Sequence, residues 1–177
     1  MPRKIENVRE KLMAEAKRQV NENGFAALSV RSVAKGVGIC LGTVYSYFPS
    51  KESLVIAFMT EDWNLCRDKM IACIKKEDDP ISALRCVYEI NFAYFLENKH
   101  IFSDNAAKKI YGVVIADQYK YLINNLSEVL LPLVENNALG NNELTLSVLA
   151  QSIINFTGEE YKFEDIEGFY RLLLNKN

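Results

Sequence analysis

Histidine is nearly absent: His100 is the only one in 177 residues. A single imidazole removes most Ser-His-Asp and multi-histidine metal constructions, and His100 reads as an ordinary helix-end residue. The four cysteines, Cys40, Cys66, Cys73 and Cys86, form no C-x-x-C pair and no zinc-ligand spacing. In a reducing compartment they are expected to act as small buried hydrophobes. No apolar run is long and uncharged enough to span a bilayer. The N-terminal stretch MPRKIENVREKLM carries charge throughout and has no apolar core of a secretory signal. A cytoplasmic protein with no membrane partner is the expectation. Glycine-rich GVGICLG has no strand before it, and its Gly36-x-Gly38-x-x-x-Gly42 spacing departs from the phosphate-cradling G-x-G-x-x-G. Without nucleophile elbow, metal spacing or nucleotide loop, an enzyme has almost no support, and no cofactor or metal is expected.

What is present is apolar mass and helical rhythm. Hydrophobic residues make up 49% of the chain, enough for a sizeable core. The net charge of −2 hides an asymmetry. Residues 1–54 hold nine Lys/Arg and five Glu, a formal +4, so the remainder carries −6. A basic first third on an acidic body points a polyanion-facing surface to the N-terminus. No alternation with hairpin turns occurs, whereas i, i+4 spacing recurs almost throughout, so the chain is expected to be all-α. The first helix is predicted over 4–23, with Ile5, Val8, Leu12, Ala16 and Val20 inward and Gly24 as a left-handed cap.

Ser29 stands as the N-cap of a short second helix whose Val30, Val33 and Ala34 face inward. Gly38 supplies a positive φ for a tight turn into a third helix over about 40–47, a helix-turn-helix. In GTVYSYFPSKESL, Val44 and Phe48 turn inward while Leu41, Gly42, Tyr45 and Ser46 point out, flanked by Thr43 and Tyr47. A helix entering a major groove needs small or hydrogen-bonding groups toward base edges and donors toward phosphates. Gly42 admits close backbone approach, Thr43 and Tyr45 offer hydroxyls and apolar edges, and Tyr47 reaches a phosphate. Lys51, with the first N–H groups of the fourth helix, clamps another. An aromatic mini-core explains Phe48 but not both tyrosines, whose hydroxyls would need buried partners. Pro49 stops the third helix, and Ser50 caps the fourth with Ser53 at the capping-box position.

The run AEAKRQVNENGFAALSVRSVAKGVGICLGTVYSYFPSKESLVIAF, from Ala14 to Phe58, resembles the N-terminal domain of TetR-family transcriptional regulators. The G-F start, the turn V-A-K-G-V-G-I-C (in the family I/V-A-x-x-A-G-V-S) and the G-T-V-Y-x-Y-F-x-S-K-E-x-L segment occur in the family's order and spacing. The resemblance implies an N-terminal three-helix DNA-binding domain over 1–50. A long helix would join it to a larger helical effector-binding and dimerisation domain over 51–177. It implies that Ser29 lies near the DNA backbone, Arg31 at the groove edge, Thr43 and Tyr45 on the recognition helix, and Tyr47 and Lys51 on phosphate. Two positions depart from the family. Cys40 replaces the usual Ser cap, a loss typically of about 1 kcal/mol, and Leu41 replaces a polar residue, suiting a thymine methyl rather than guanine.

Beyond Ser50 a long helix is predicted to about Lys76, with Met59, Trp63, Cys66, Met70 and Cys73/Ile74 buried. Asp79 and Pro80 open a fifth helix that is apolar on nearly all sides. Segments at 101–105 and 106–135 follow, the second kinked or split near Pro132, then a loop at ENNALGNN and helices over 143–157 and 164–175. Leu146, Leu149, Ala150 and Ile153, with Ile166, Phe169, Tyr170 and Leu173, give the last two helices apolar stripes that fit a homodimer seam. Trp63, Glu89, Asn91, Phe92, Phe95, Phe102, Tyr111 and Tyr119 are the candidate walls of a pocket for an apolar or aromatic effector. The expected function is a dimeric repressor that binds a near-palindromic DNA operator and is released by that effector. The alternative is a DNA-binding protein of this fold without a small-molecule effector, controlled by a protein partner or acting architecturally.

Overall fold

The computed structural model describes residues 6–103, 105–135 and 143–174, excluding the side chains of 100, 102–118 and 135. The expected loop at 136–142 and the side chains of His100, Phe102 and Tyr111 therefore lie outside the described residues. Among the described residues the chain is helical, with no strand: α1 Val8–Asn23, a 3-10 turn Phe25–Ala27, α2 Val30–Val37, α3 Leu41–Tyr47 and α4 Lys51–Ile74. Then come α5 Pro80–Ser103, α6 Asn105–Glu135, α7 Glu143–Gly158 and α8 Phe163–Leu174. The chain forms two compact units that divide between Asp62 and Trp63, inside α4, with Lys99–Ile110 grouped with the first.

The first unit follows its apolar spacing. Leu12, Met13, Ala16 and Val20 of α1 are buried, as are Val30, Val33 and Ala34 of α2 and Val44 of α3. Phe25, Phe48, Leu54, Val55 and Phe58 complete this core. Val8 is only half-buried and Met13 takes an inward place that strict i, i+4 reading missed. Gly24 has φ 78° and ψ 164°, so it turns the chain without the left-handed helical geometry expected of it. The 3-10 turn that follows pulls Phe25 inside. Arg9 pairs with Glu61 and Lys17 with Asp62 at 2.7 Å, tying α1 to α4.

The second unit is held by exposed and part-buried polar bonds as well as apolar packing. Asp79 caps α5 through the N–H of Ser82 at 2.9 Å, which holds its carboxyl below the usual range. Arg85 pairs with Glu164 and, at 2.6 Å, with Glu167, and lies 4.6 Å over the Phe163 ring. Tyr88 donates to the Tyr161 carbonyl at 2.6 Å, so α5 grips both ends of the turn into α8. α5 runs unbroken through Ser103, where a separate segment at 101–105 was expected, and α6 is not split at Pro132.

The cysteines depart from expectation. Cys73 and Cys86 form a disulfide across the α4–α5 turn, Cys40 is exposed and Cys66 half-buried. Neither half-buried partner of the bridge is a core hydrophobe. Within α4 the buried residues are Leu54, Val55, Phe58, Trp63 and Met70, while Met59, Cys66, Cys73 and Ile74 are only half-buried.

Candidate nucleic-acid interface

Two serine boxes fix the helices that frame the candidate surface. At the start of α2, Ser29 Oγ accepts from the Ser32 N–H at 3.0 Å, and Ser32 Oγ accepts from the Ser29 N–H at 3.2 Å. At the start of α4, Ser50 and Ser53 repeat the pattern at 3.2 and 3.1 Å. A hydroxyl thus stands in for the Glu or Gln of the usual capping box. The caps leave the N–H groups of Val30, Arg31, Lys51 and Glu52 without intrahelical partners, as at any helix start.

The α2 box is anchored to α1. Ser32 Oγ donates to Gln19 Oε1 at 2.6 Å, and Gln19 Nε2 donates to Glu15 Oε1 at 2.8 Å. Arg18 donates to both Glu15 oxygens, at 2.9 and 2.8 Å. These bonds, Arg18's above all, pull the Glu15 carboxyl from 4.5 to about 2 against the opposing effect of burial. Gly36 on α2 lies against this carboxylate: a Cβ there would stand 2.1 Å from Glu15 Oε1, so the Glu15 side chain would have to move. From the sequence neither Glu15 nor Ser32 is named, and Gly36 only for its glycine spacing. The Ser29-x-x-Ser32 spacing was the available signal.

Gly38, at φ 74° and ψ 35°, makes the left-handed turn into α3, and its N–H bonds the Lys35 carbonyl at 3.2 Å. Cys40 gives α3 no side-chain cap. Val44 and Phe48 are buried; Gly42, Thr43, Tyr45, Ser46 and Tyr47 are exposed, and Leu41 is half-exposed. Tyr45 and Tyr47 keep 51% and 47% of their surface, so their hydroxyls meet solvent rather than buried partners. Ser46 Oγ donates to the Thr43 carbonyl at 2.7 Å, which commits its proton to its own helix. A Cβ on Gly42 would meet nothing within 4 Å.

Ser29, Arg31, Leu41, Tyr45 and Lys51 are brought together around one open groove of about 540 Å³, with Leu28, Val30, Pro49 and Ser50 completing its wall. Gly42, Thr43, Ser46 and Tyr47 lie on α3 outside that lining. Lys51 Nζ donates to the Phe25 carbonyl at 3.2 Å and sits 4.2 Å from the Phe25 ring centroid. An ammonium has three protons, so at least one donor remains for an anion. The groove receives the N-terminal ends of both α2 and α4, whose dipoles favour negative charge.

The candidate pocket residues of the second unit are dispersed in role. Trp63 is buried edge-on to Tyr94 at 5.2 Å, and among the described residues its indole N–H has no hydrogen-bond partner. Asn91 is buried and donates to Thr157 at 2.8 Å; Phe92 is half-buried and stacks on Tyr88. Phe95 is half-buried, Tyr119 donates to Asn155 at 3.2 Å, and Glu89 is exposed with Arg85 3.8 Å away. On α7 and α8, Leu149, Ala150, Ile153, Ile166 and Tyr170 are buried within the unit, whereas Leu144, Val148, Phe169 and Leu172 are exposed.

Comparison with known proteins follows the same division. A family model described as bacterial regulatory proteins, tetR family, matches residues 12–58. The chain is 30% identical over 96 residues to the uncharacterized HTH-type transcriptional regulator YuxN of Bacillus subtilis (strain 168). That match covers 54% of this chain and spans 33% of the length of YuxN. A TetR-family regulator from Pectobacterium atrosepticum superposes with a TM-score of 0.75 at 18% identity, over 95% of this chain and 94% of that one. Thermus thermophilus FadR, a TetR-family repressor solved with lauroyl-CoA, gives 0.67 at 18%, over 96% of each chain. These two likenesses are likenesses of fold. Residues 12–58 match the tetR family of bacterial regulatory proteins, and the chain as a whole shares the fold of solved TetR-family regulators.

Proposed function

We propose that the chain is a dimeric DNA-binding transcriptional repressor of the bacterial cytoplasm, released from a near-palindromic operator by a small apolar effector. The observation that carries the DNA reading is the groove at the starts of α2 and α4, beside an α3 whose exposed face is hydroxyl-rich. Residues 1–50 form the DNA-binding part and 51–177 the effector and dimer part. Arg31, Tyr47 and Lys51, with the N-terminal N–H groups, contact phosphates; Gly42, Thr43 and Tyr45 read base edges, and Leu41 meets a thymine methyl. Ser29 holds the start of α2 at the backbone, and Ser46, its proton engaged, serves as an acceptor on the same face.

A second copy covers Leu144, Val148 and Phe169, which line an apolar groove of about 270 Å³ along α7 and α8, together with the exposed Leu172. The unpartnered Trp63 N–H supports an effector carrying an acceptor among apolar groups, and the lauroyl-CoA complex of Thermus FadR supports an acyl-like class. The mutual satisfaction of Asn91 and Thr157 favours instead the effector-free reading, with a packed interior and a protein partner. Selecting bound fragments from genomic DNA and measuring their affinity against salt tests the function. Recovery of paired half-sites about one helical turn apart, or a small multiple, with steep salt dependence is the expected result; salt-insensitive or absent retention overturns it.

A further inference from the structure

The Cys73–Cys86 bridge joins the last turn of α4 to the second turn of α5, with a Cα–Cα distance of 6.5 Å. Both residues are half-buried, within reach of small solutes and outside the core. A protein that works on DNA in a bacterial cytoplasm, as proposed above and on which this inference rests, meets a thiol pool that keeps cysteines reduced. Disulfides in such places are usually transient and regulatory rather than structural. The bridge is also placed to matter. α4 has Lys51, on the DNA-facing groove, as its first residue and Cys73 as its last but one. α5 carries Cys86 between Arg85 and Tyr88, the two residues that hold α8. Beyond the backbone of residues 75–79, the bond adds a second covalent tie that fixes the end of α4 against α5.

We propose that Cys73 and Cys86 are a reversible thiol–disulfide pair through which peroxide-class oxidants regulate DNA affinity. One thiolate attacks hydrogen peroxide, giving a sulfenic acid and, after protonation, water. The second thiolate displaces hydroxide from that sulfenic sulfur, which a proton carries off as a second water. The balance is two thiols and one peroxide to one disulfide and two waters. Two equivalents of a small cellular thiol reverse the bond by exchange through a mixed disulfide. Because coupling is reciprocal, a threefold change in DNA affinity between the states requires DNA to shift the pair's equilibrium by the same factor, ~14 mV at ~29.6 mV per decade.

The test uses the full chain, reduced, treated with hydrogen peroxide, and returned with millimolar glutathione. Peptide mass mapping is expected to show Cys73 and Cys86 linked with loss of two hydrogens after peroxide and free again after glutathione. Affinity for a selected DNA fragment is expected to differ at least threefold between the states, and the difference to vanish in Cys86→Ser and in Cys73→Ala. A pair that does not link, a bond that glutathione leaves intact, equal affinities in the two states, or a difference that survives both variants overturns the proposal. A chain that retains no DNA in either state overturns the DNA reading and the regulation with it, while the mapping still reports the chemistry of the pair on its own.

Discussion

α3 and the α7–α8 surface both leave large side chains in solvent, but with different chemistry. On α3 the exposed groups are Thr43, Tyr45, Ser46 and Tyr47, each with a hydroxyl. On α7 and α8 they are Leu144, Val148, Phe169 and Leu172, at 74%, 54%, 43% and 84% exposure, with no polar atom among their side chains. Hydroxyl-bearing rings remain solvated until a hydrogen-bonding partner arrives, so they suit a wet polar duplex. Purely apolar groups gain only by leaving water, and Leu144, Val148 and Phe169, which line one groove, have the character of a protein contact. The two surfaces teach that exposure alone says little; the atoms at the tip decide the partner.

The largest effect should come from charging the apolar surface. Val148→Asp with Phe169→Asp should raise the dimer dissociation constant by at least about 100-fold, since twofold symmetry repeats each unpaired carboxylate. Both residues are exposed in the chain alone, and Phe169 loses only its edge contacts with Phe156 and Tyr170, so circular dichroism should still report a helical fold. Sedimentation equilibrium decides it. A wild type that is monomeric at micromolar concentration, or a variant that dimerises as before, breaks the comparison.

On the hydroxyl surface the test separates reading from holding. Tyr45→Ala should change which fragments are selected, each lost base contact costing about 1–3 kcal/mol of discrimination. Lys51→Ala should weaken all sequences alike and flatten the logarithmic salt slope by about 1. Competition selection at two salt concentrations measures both. An identical, uniform loss for the two variants would mean that α3 only holds the backbone.

Gly42 sharpens the same point with a smaller change. Ala is favoured over Gly in a helix by up to about 1 kcal/mol, and a Cβ at 42 meets nothing within 4 Å beyond its own helix among the described residues. Gly42→Ala should therefore raise the thermal midpoint slightly while lowering DNA affinity severalfold. Stability and binding moving in the same direction would show that the duplex does not approach this backbone.

The same contrast explains what the sequence could tell. Local rules placed Val44 and Phe48 inward and Tyr45 and Tyr47 outward, found Gly38's turn and assigned Ser29 and Asp79 as caps, because each depends on residues within one or two turns. Facts that depend on separate elements were not legible. Lys51 finds the Phe25 carbonyl 26 residues away. Cys73 pairs with Cys86 although 13 residues and a turn separate them. On the terminal helices the apolar stripes were visible, but Leu149, Ala150, Ile153, Ile166 and Tyr170 turn out to serve their own unit. Helical periodicity finds an apolar face without saying which protomer covers it. The pocket candidates suffered similarly: Glu89 sits amid apolar neighbours in the sequence yet on the exposed side of α5 in space.

The smallest effect lies behind the DNA face, in the network that seats α2 on α1. Glu15's carboxyl is held at about 2 by Arg18 and Gln19, against an ordinary 4.5. A carboxylate whose folded value is depressed binds fewer protons folded than unfolded on the acid side, so its contribution is full above about 4.5 and fades as pH falls toward 2. Arg18 is 53% exposed, so solvent screens much of the attraction and the effect should be modest. Glu15→Gln keeps the shape and an acceptor for Gln19 but loses the charge. Wild type should exceed it in urea midpoint by a constant margin from pH 7 to about 4.5, and the margin should shrink steadily toward pH 2. Gly36→Ala, which forces a Cβ into the Glu15 carboxylate, should lower the midpoint at neutral pH, with less loss in the Glu15→Ala background where the contacted atoms are gone. A Glu15→Gln margin that persists undiminished at pH 2, or a Gly36→Ala loss unchanged without the carboxylate, would show that α2 is seated by its apolar face alone.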